Sequence, residues 1–314
     1  MGIAGAIGVS AAKAADPTPA GIVIESTAQA SYDDGGITRN VTSNTVQVRV
    51  DELLDPVATA LDAGSLEVRP GPAVLSFLVS NAGNGPEAFN LEVVTSVAGN
   101  AFDTTLDSIA VDTNSNATYD PGIDQILSAP AVTEILAPGA SLTIFVILSV
   151  PDGIEDGAQS EVSFVARAAT GNGAPGNVFA GAGENGSDAI AGLSGGEATA
   201  IGQMVATTSI VALQKSGTVA DPFGGSAAVP GATITYNIAA SVTGSAQIDD
   251  LVITDQIPPG TQYVAGSLAL DGTPLSDVAD SDAGEATPDA ITVNLGTVAS
   301  GSSNIITFAV LIAE

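Results

Sequence analysis

The chain contains no cysteine, no histidine and no tryptophan. Disulfides are therefore excluded, and so are Cys/His zinc sites and any Ser-His or Cys-His nucleophile pair. Basic residues are scarce as well: 6 Lys plus Arg stand against 35 Asp plus Glu, a formal net charge of −29. Such a surplus repels nucleic acid and anionic membranes, so neither is an expected partner. Aromatics number only 8 Phe and 4 Tyr. Scattered carboxylates lack the aromatic flanks of a sugar-cleaving cleft, and no enzyme is expected. No later run is long and apolar enough to span a membrane, so membrane insertion is not expected. The opening MGIAGAIGVSAAKAAD has a short apolar stretch and then Ala12-Lys13-Ala14 as a small-x-small cleavage site. Residues 1–15 thus read as a signal-peptide remnant without a basic n-region, or else as a disordered tail. An exported, soluble protein that meets divalent cations is the expectation.

What is present points to strands. The 314 residues suffice for two or three domains. With 36 Gly, 17 Pro, abundant Val, Thr, Ile and Ala, and no long helical periodicity, the fold class is all-β. In IVIESTAQASY, Ile22, Ile24, Ala28, Ala30 and Tyr32 share one face and mostly polar residues take the other. Alternation of this kind marks a half-buried strand, predicted over 22–32 within an N-terminal segment 16–43. Asp33-Asp34-Gly35-Gly36 is a turn signal, and a second strand pattern runs from Ile37 to Val50.

The chain then repeats itself. VRPGPAVLSFLVSNAG (68–83) returns as AVPGATITYNIAASVTG (228–244), with Pro70-Gly71 on Pro230-Gly231 at an offset of 160. LAPGASLTIFVILSV (136–150) returns as TVASGSSNIITFAVLI (297–312), with Gly139 on Gly301 at an offset of 162. Steady offsets imply two tandem sandwiches, over 44–169 and 209–314. A Gly-rich connecting hairpin, 170–208, lies between them; its GAGENG is not a phosphate loop, since no Gly-Lys-Ser/Thr follows.

In the second copy, LQKSG, VPGATITYNI, LVITDQIPPGTQYV and LGTVASG…ITFAVLI resemble the conserved repeat domain of bacterial surface proteins, the "domain of unknown function eleven" family. The resemblance covers 209–314 well and 44–169 more loosely. It implies immunoglobulin-like β-sandwiches strung along secreted and cell-surface proteins, and it implies no enzymatic activity. Ser241-Val242-Thr243-Gly244 departs from the family's Asn-Thr-Gly run, whereas copy one has Asn81-Ala82-Gly83.

The two copies end differently. After SLTIFVILSV, copy one continues to a strand in which Val162, Phe164, Ala166 and Ala168 alternate inward, while copy two stops at Ile312-Ala313-Glu314. The N-terminal PTPAGIVIESTAQASYDDGG resembles that missing strand. An open sandwich exposes unpaired backbone groups and an apolar groove. Ile22, Ile24, Ala28, Ala30 and Tyr32 are therefore the expected core-facing residues of a donor strand. Donation to a neighbouring copy gives a head-to-tail homopolymer, a secreted pilus-like fibre. A monomeric, calcium-stabilised adhesin with the strand folded back is the alternative.

Two loops carry oxygen ligands. Asp112, Asn114, Asn116, Thr118, Asp120 and Asp124 approximate a calcium-loop spacing, with Ala117 where glycine is expected. A solvated Asx-rich turn is the alternative. Asp277, Asp280, Asp282, Glu285 and Asp289 form a second, poorer candidate. Finally, Lys215 with Asn304 and Asp255 is a possible isopeptide set. Lys215 falls on Arg49 at an offset of 166, which favours a salt bridge or a snorkelling side chain.

Overall fold

The computed structural model describes residues 17–314, so the signal-like opening lies outside the described residues. Their regular structure is all strand, apart from one short 3-10 turn at Glu184–Gly186. In chain order the N-terminal strands are β1 Val23–Ser26, β2 Gln29–Asp34, β3 Ile37–Thr42 and β4 Val46–Arg49. Next come β5 Glu52–Leu54, β6 Pro56–Ala60, β7 Leu66–Val68, β8 Gly71–Asn81, β9 Phe89–Val94, β10 Thr105–Val111 and β11 Gln125–Ile126. They are followed by β12 Ser141–Val150, β13 Gln159–Ala168, β14 Val178–Phe179, β15 Ala189–Ala191 and β16 Glu197–Ala206. The last group is β17 Ser209–Ala220, β18 Thr233–Gly244, β19 Ile248–Gln256, β20 Thr261–Tyr263 and β21 Ala269–Leu270. It closes with β22 Thr273–Pro274, β23 Gly284–Ala286, β24 Ala290–Val298 and β25 Ser303–Ile312.

The first sandwich follows from alternation. In β8, Leu75, Phe77 and Val79 are fully buried while Ser76, Leu78 and Ser80 are only half-buried. One sheet runs β11-β10-β12-β8-β6 and the other β7-β16-β13-β9. In immunoglobulin terms these are D-E-B-A and G-F-C, with strands A to G taken in chain order. Phe77 and Phe164 stack between the sheets with ring centroids 4.6 Å apart.

The second sandwich repeats part of this plan. Its larger sheet runs β17-β18-β25-β21-β22, with β20 also on β25, and supplies A, B, E and D. Its smaller sheet is β19-β24-β23, beginning with C. Ile238, Ile253, Leu268, Ile291, Val293, Ile306, Phe308 and Val310 form its core. Among the described residues no strand takes the F or G place beside β19.

Two expected boundaries move. Residues 197–206, expected in the connecting hairpin, form the G strand of the first sandwich as β16. Their alternating Ala200, Gly202, Met204 and Ala206 are buried, yet mostly too small to stand out as an apolar strand among the glycines. Residues 46–49, expected in the first sandwich, pair instead with the N-terminal segment.

Candidate docking ribbon and acceptor groove

The N-terminal segment is a two-stranded ribbon rather than a lone strand. β1 pairs with β4 from Val23↔Arg49 to Ser26↔Val46, and β2 pairs with β3 from Gln29↔Thr42 to Asp34↔Ile37. The two-residue turn works because Gly35 (φ 63°) and Gly36 (φ 88°) both take positive φ, as a primed hairpin turn requires. Asp33 Oδ1 accepts the Gly36 N–H at 2.8 Å.

Between the two halves, the first strand uses residues 27–28 and the second uses 43–45. The extra residue is a bulge, and it resets side-chain parity on that strand. Val41 and Ile37 before it, and Val46 and Val48 after it, consequently share one face with Ile24, Ala28, Ala30 and Tyr32. The opposite face carries Glu25 bonded to Gln47, Ser31 beside Asn40, and Asp33 beside Thr38. Ser26, and Arg39 ion-paired with Asp34, also lie on the apolar face, and its apolar side chains have no cover: Ile22, Ile24, Tyr32, Ile37, Val41, Val46 and Val48 each keep 45–63% of their surface in solvent. An isolated hairpin of this kind is marginal by itself.

The ribbon's root is held firmly. Asn84 donates to the Asp51 carbonyl (3.0 Å) and the Thr18 carbonyl (3.1 Å), and its Oδ1 accepts the Leu53 N–H at 2.7 Å. Ala20 N–H reaches the Asn84 carbonyl at 2.9 Å, and Arg49 donates to the Asn185 carbonyl. Gly21 (φ 78°) is required here, since a Cβ would lie 2.7 Å from the Glu184 carbonyl oxygen.

The second sandwich presents a groove. On β17 the core-facing residues are Leu213, paired with buried Ala240, and Lys215, paired with buried Ile238. Leu213 points inward by register and is still 58% exposed. On the smaller sheet, β19 pairs with β24 on one side and offers a free backbone edge on the other. Lys215 crosses the groove to ion-pair with Asp255 on β19, and its Nζ lies 4.2 Å from the Tyr236 ring centroid.

Other expected sites fare differently. The isopeptide set is split: Lys215 and Asp255 meet, but Asn304 donates to Asp271 at 3.0 Å. Lys215 also stands where Ala60 stands in the first copy rather than where Arg49 does, since Ala60 pairs with Phe77 as Lys215 pairs with Ile238. Arg49 lies at the ribbon's root. In the first loop, Asn114 and Asn116 both donate to Asp120 Oδ2, at 2.8 and 2.7 Å, so three expected ligands converge. Asp112 accepts from Ser115 and Ala117 N–H groups, and Asp124 accepts from Thr113 and Asp120 N–H groups. Thr118 contributes its N–H to Asn116 Oδ1. Ala117 has the positive φ of 59° for which glycine is usual.

The second loop does not gather. Asp277 accepts from the Tyr263 hydroxyl and the Gly266 N–H, and Asp282 from Ser276 and Gly284. Asp280 accepts from the Asp282 N–H, Glu285 lies in β23, and Asp289 donates its N–H to Thr287. Asp277, Asp280 and Asp282 thus each accept hydrogen bonds from neighbouring backbone or hydroxyl groups rather than meeting one another's carboxylates. Among the described residues no three acidic side chains come together as a metal site.

No protein-family model matches the chain, and no curated protein does. Among solved structures it is similar to one named BspA_C_WT, at 12% identity and a TM-score of 0.33, over 82% of this chain and 91% of that one. It is also similar to a putative membrane anchored protein from Corynebacterium diphtheriae, at 11% identity and a TM-score of 0.23, over 93% and 89%. A third is the collagen adhesin CNA from S. aureus, at 12% identity and a TM-score of 0.22, over 82% and 80%. Likeness of this size transfers no activity; the immunoglobulin-like assignment rests on the strand order. No described helix is long and apolar enough to cross a membrane.

Proposed function

We propose that the chain is a secreted structural subunit of an extracellular filament, without catalytic activity. The ribbon of one copy docks into the second sandwich of the next, so the partner is another copy of the chain. The observation that carries this is a complementarity: a two-stranded ribbon with one face rich in bare apolar side chains, and a sandwich with strands A to E in which none of the described residues fills the F and G places. The first sandwich supplies the template. There β13 pairs along β9 from Ser163↔Val94 to Ala168↔Phe89, and Val162, Phe164, Ala166 and Ala168 are buried. Ala28, Ala30 and Tyr32 of the ribbon have the same alternate spacing. Each of Ile22, Ile24 and Tyr32 contributes about 1.5–3 kcal/mol on full burial, and paired backbone groups add about 1 kcal/mol apiece before ordering costs. Such a contact joins two different surfaces and propagates unless the rotation closes a ring.

A divalent cation, calcium by the all-oxygen donor set, is proposed at the first loop. Asp120, Asn114 and Asn116 would hold it, with the two carboxamides turned to present oxygen. Calcium would supply the charge balance and stiffness that the loop otherwise draws from hydrogen bonds.

The docking is tested on the full chain by light scattering and negative-stain microscopy. The unaltered protein should form filaments, Ile24→Glu should leave it as single subunits, and Gln29→Glu, on the polar face, should not. Unaltered protein that stays single, or Ile24→Glu filaments indistinguishable from it, would overturn the proposal.

A further inference from the structure

The two sandwiches differ at the floor of the place that G occupies. In the first, the inward residues of strand A are Ala58 and Ala60, paired with Val79 and Phe77. In the second they are Leu213 and Lys215, paired with Ala240 and Ile238. The places are equivalent because Phe77 and Ile238 each pair with an isoleucine of strand E, Ile144 or Ile306. By the same register, Leu75 and its partner Val146 become Tyr236 and its partner Phe308.

Alanine in strand A leaves room for G. Gly202 of β16 packs so closely that a Cβ would come within 2.7 Å of Leu75 Cδ1 and 3.0 Å of Phe77 Cζ. The surface beneath G in the first sandwich, Leu75 and Phe77, thus corresponds to Tyr236 and Ile238 in the second. Lys215 lies on that surface, its Nζ 4.2 Å from the Tyr236 centroid and 5.5 Å from that of Phe308. Its other contact is Asp255, whose Oδ2 is buried and has no hydrogen-bond partner apart from this ion pair. One side chain therefore spans both sheets where a G strand would pass.

We infer that the Lys215–Asp255 pair is a shutter on the acceptor groove, closed in the free subunit and displaced when the second ribbon strand, β3–β4, seats on Tyr236. This rests on the docking proposed above and adds what guards the groove before it fills. The shutter covers the open side of the half-buried Tyr236 ring, beside the fully buried Phe308, and a larger bare apolar patch is a liability for non-specific association. Val46 and Val48 replace the ammonium over the ring. The lysine's flexible stem lets its charge move to the rim as they arrive. Both ribbon strands enter, not Ile22–Tyr32 alone.

The test follows assembly kinetics of the full chain by light scattering, with circular dichroism confirming that each variant folds. Lys215→Ala, which loses both the cation–π contact and the ion pair, should assemble faster by about 3- to 30-fold, and Asp255→Asn, which loses only the ion pair, should also assemble faster but by less. Lys215→Arg keeps both contacts and should follow the unaltered protein. An unchanged or slower Lys215→Ala overturns the shutter. Val48→Glu should block assembly as Ile24→Glu does; normal filaments from Val48→Glu would mean that only the first strand docks, and the shutter falls. If Ile24→Glu also assembles normally, the docking itself is wrong. Should the Lys215 variants misfold, amine acylation of otherwise unaltered chains decides. Lys215 should react at different rates in filaments and in single Ile24→Glu subunits, and equal rates overturn the inference.

Discussion

Phe77 shows how little of a core residue's role depends on its neighbours in sequence. It is fully buried in β8 and stacks on Phe164, 87 positions later, at an interplanar angle of 14°. Phe77→Ala should cost about 3–5 kcal/mol in urea unfolding, because the closely packed Gly202 offers no side chain to refill the space. Glu52 is a different case, buried at 4% exposure near the ribbon's root. Its Oε2 accepts the Glu184 N–H at 2.8 Å, and its Oε1 has no partner. Burial above all, helped by the charges of Glu87 and Glu184, raises its pKa despite that hydrogen bond. The folded state therefore holds the Glu52 proton more tightly than the unfolded one. This component of stability is complete below the ordinary carboxylate pKa and is lost as pH rises through the raised value. Glu52→Gln should melt higher than its parent at pH 7, and the difference should close as the pH falls through that window, as read by thermal melts across pH.

At the scale of elements, the first loop and the ribbon carry the predictions. If calcium seats on Asp120, Asn114 and Asn116, adding it should raise the melting temperature of the unaltered protein. Asp120→Asn should lose most of that rise, and chelator should reverse it; a melt indifferent to calcium would leave the loop an Asx-rich turn. The ribbon's turn was legible from Asp33-Asp34-Gly35-Gly36, since few other residues tolerate two successive positive φ angles. Both of its strands were legible from alternation. Their pairing was not, because the bulge at 43–45 swaps odd for even positions and breaks the simple alternation over 37–50. Similarly, β16 was read as connecting chain because glycine and alanine carry almost no hydrophobic signal even when they pack the core.

For the whole molecule, docking predicts a specific failure. An Ile24→Glu subunit keeps its acceptor groove but lacks a working ribbon, so it can receive one neighbour and pass on none. Added in small proportion to unaltered protein, it should shorten filaments in step with its fraction, measured by length distributions in negative stain. Filaments of unchanged length would mean that the second sandwich is not the receiving surface. The net charge of −29 also bears on assembly. Charge repulsion between copies weakens with salt, so filament growth should speed up as ionic strength rises from low values.

Sequence alone determined the all-β class, the tandem repeat, the absence of disulfide and histidine chemistry, and the amphipathic face from Ile22 to Tyr32. Those follow from composition and period, which depend on each residue's own chemistry. Tertiary structure decided what depends on distant partners: that the leading segment folds on itself as a ribbon, that 197–206 is strand G, and that Lys215 lies over Tyr236. It also decided that Asn114 and Asn116 meet Asp120 in the first loop, since which side chains converge is set by backbone turns and not by the number of acids.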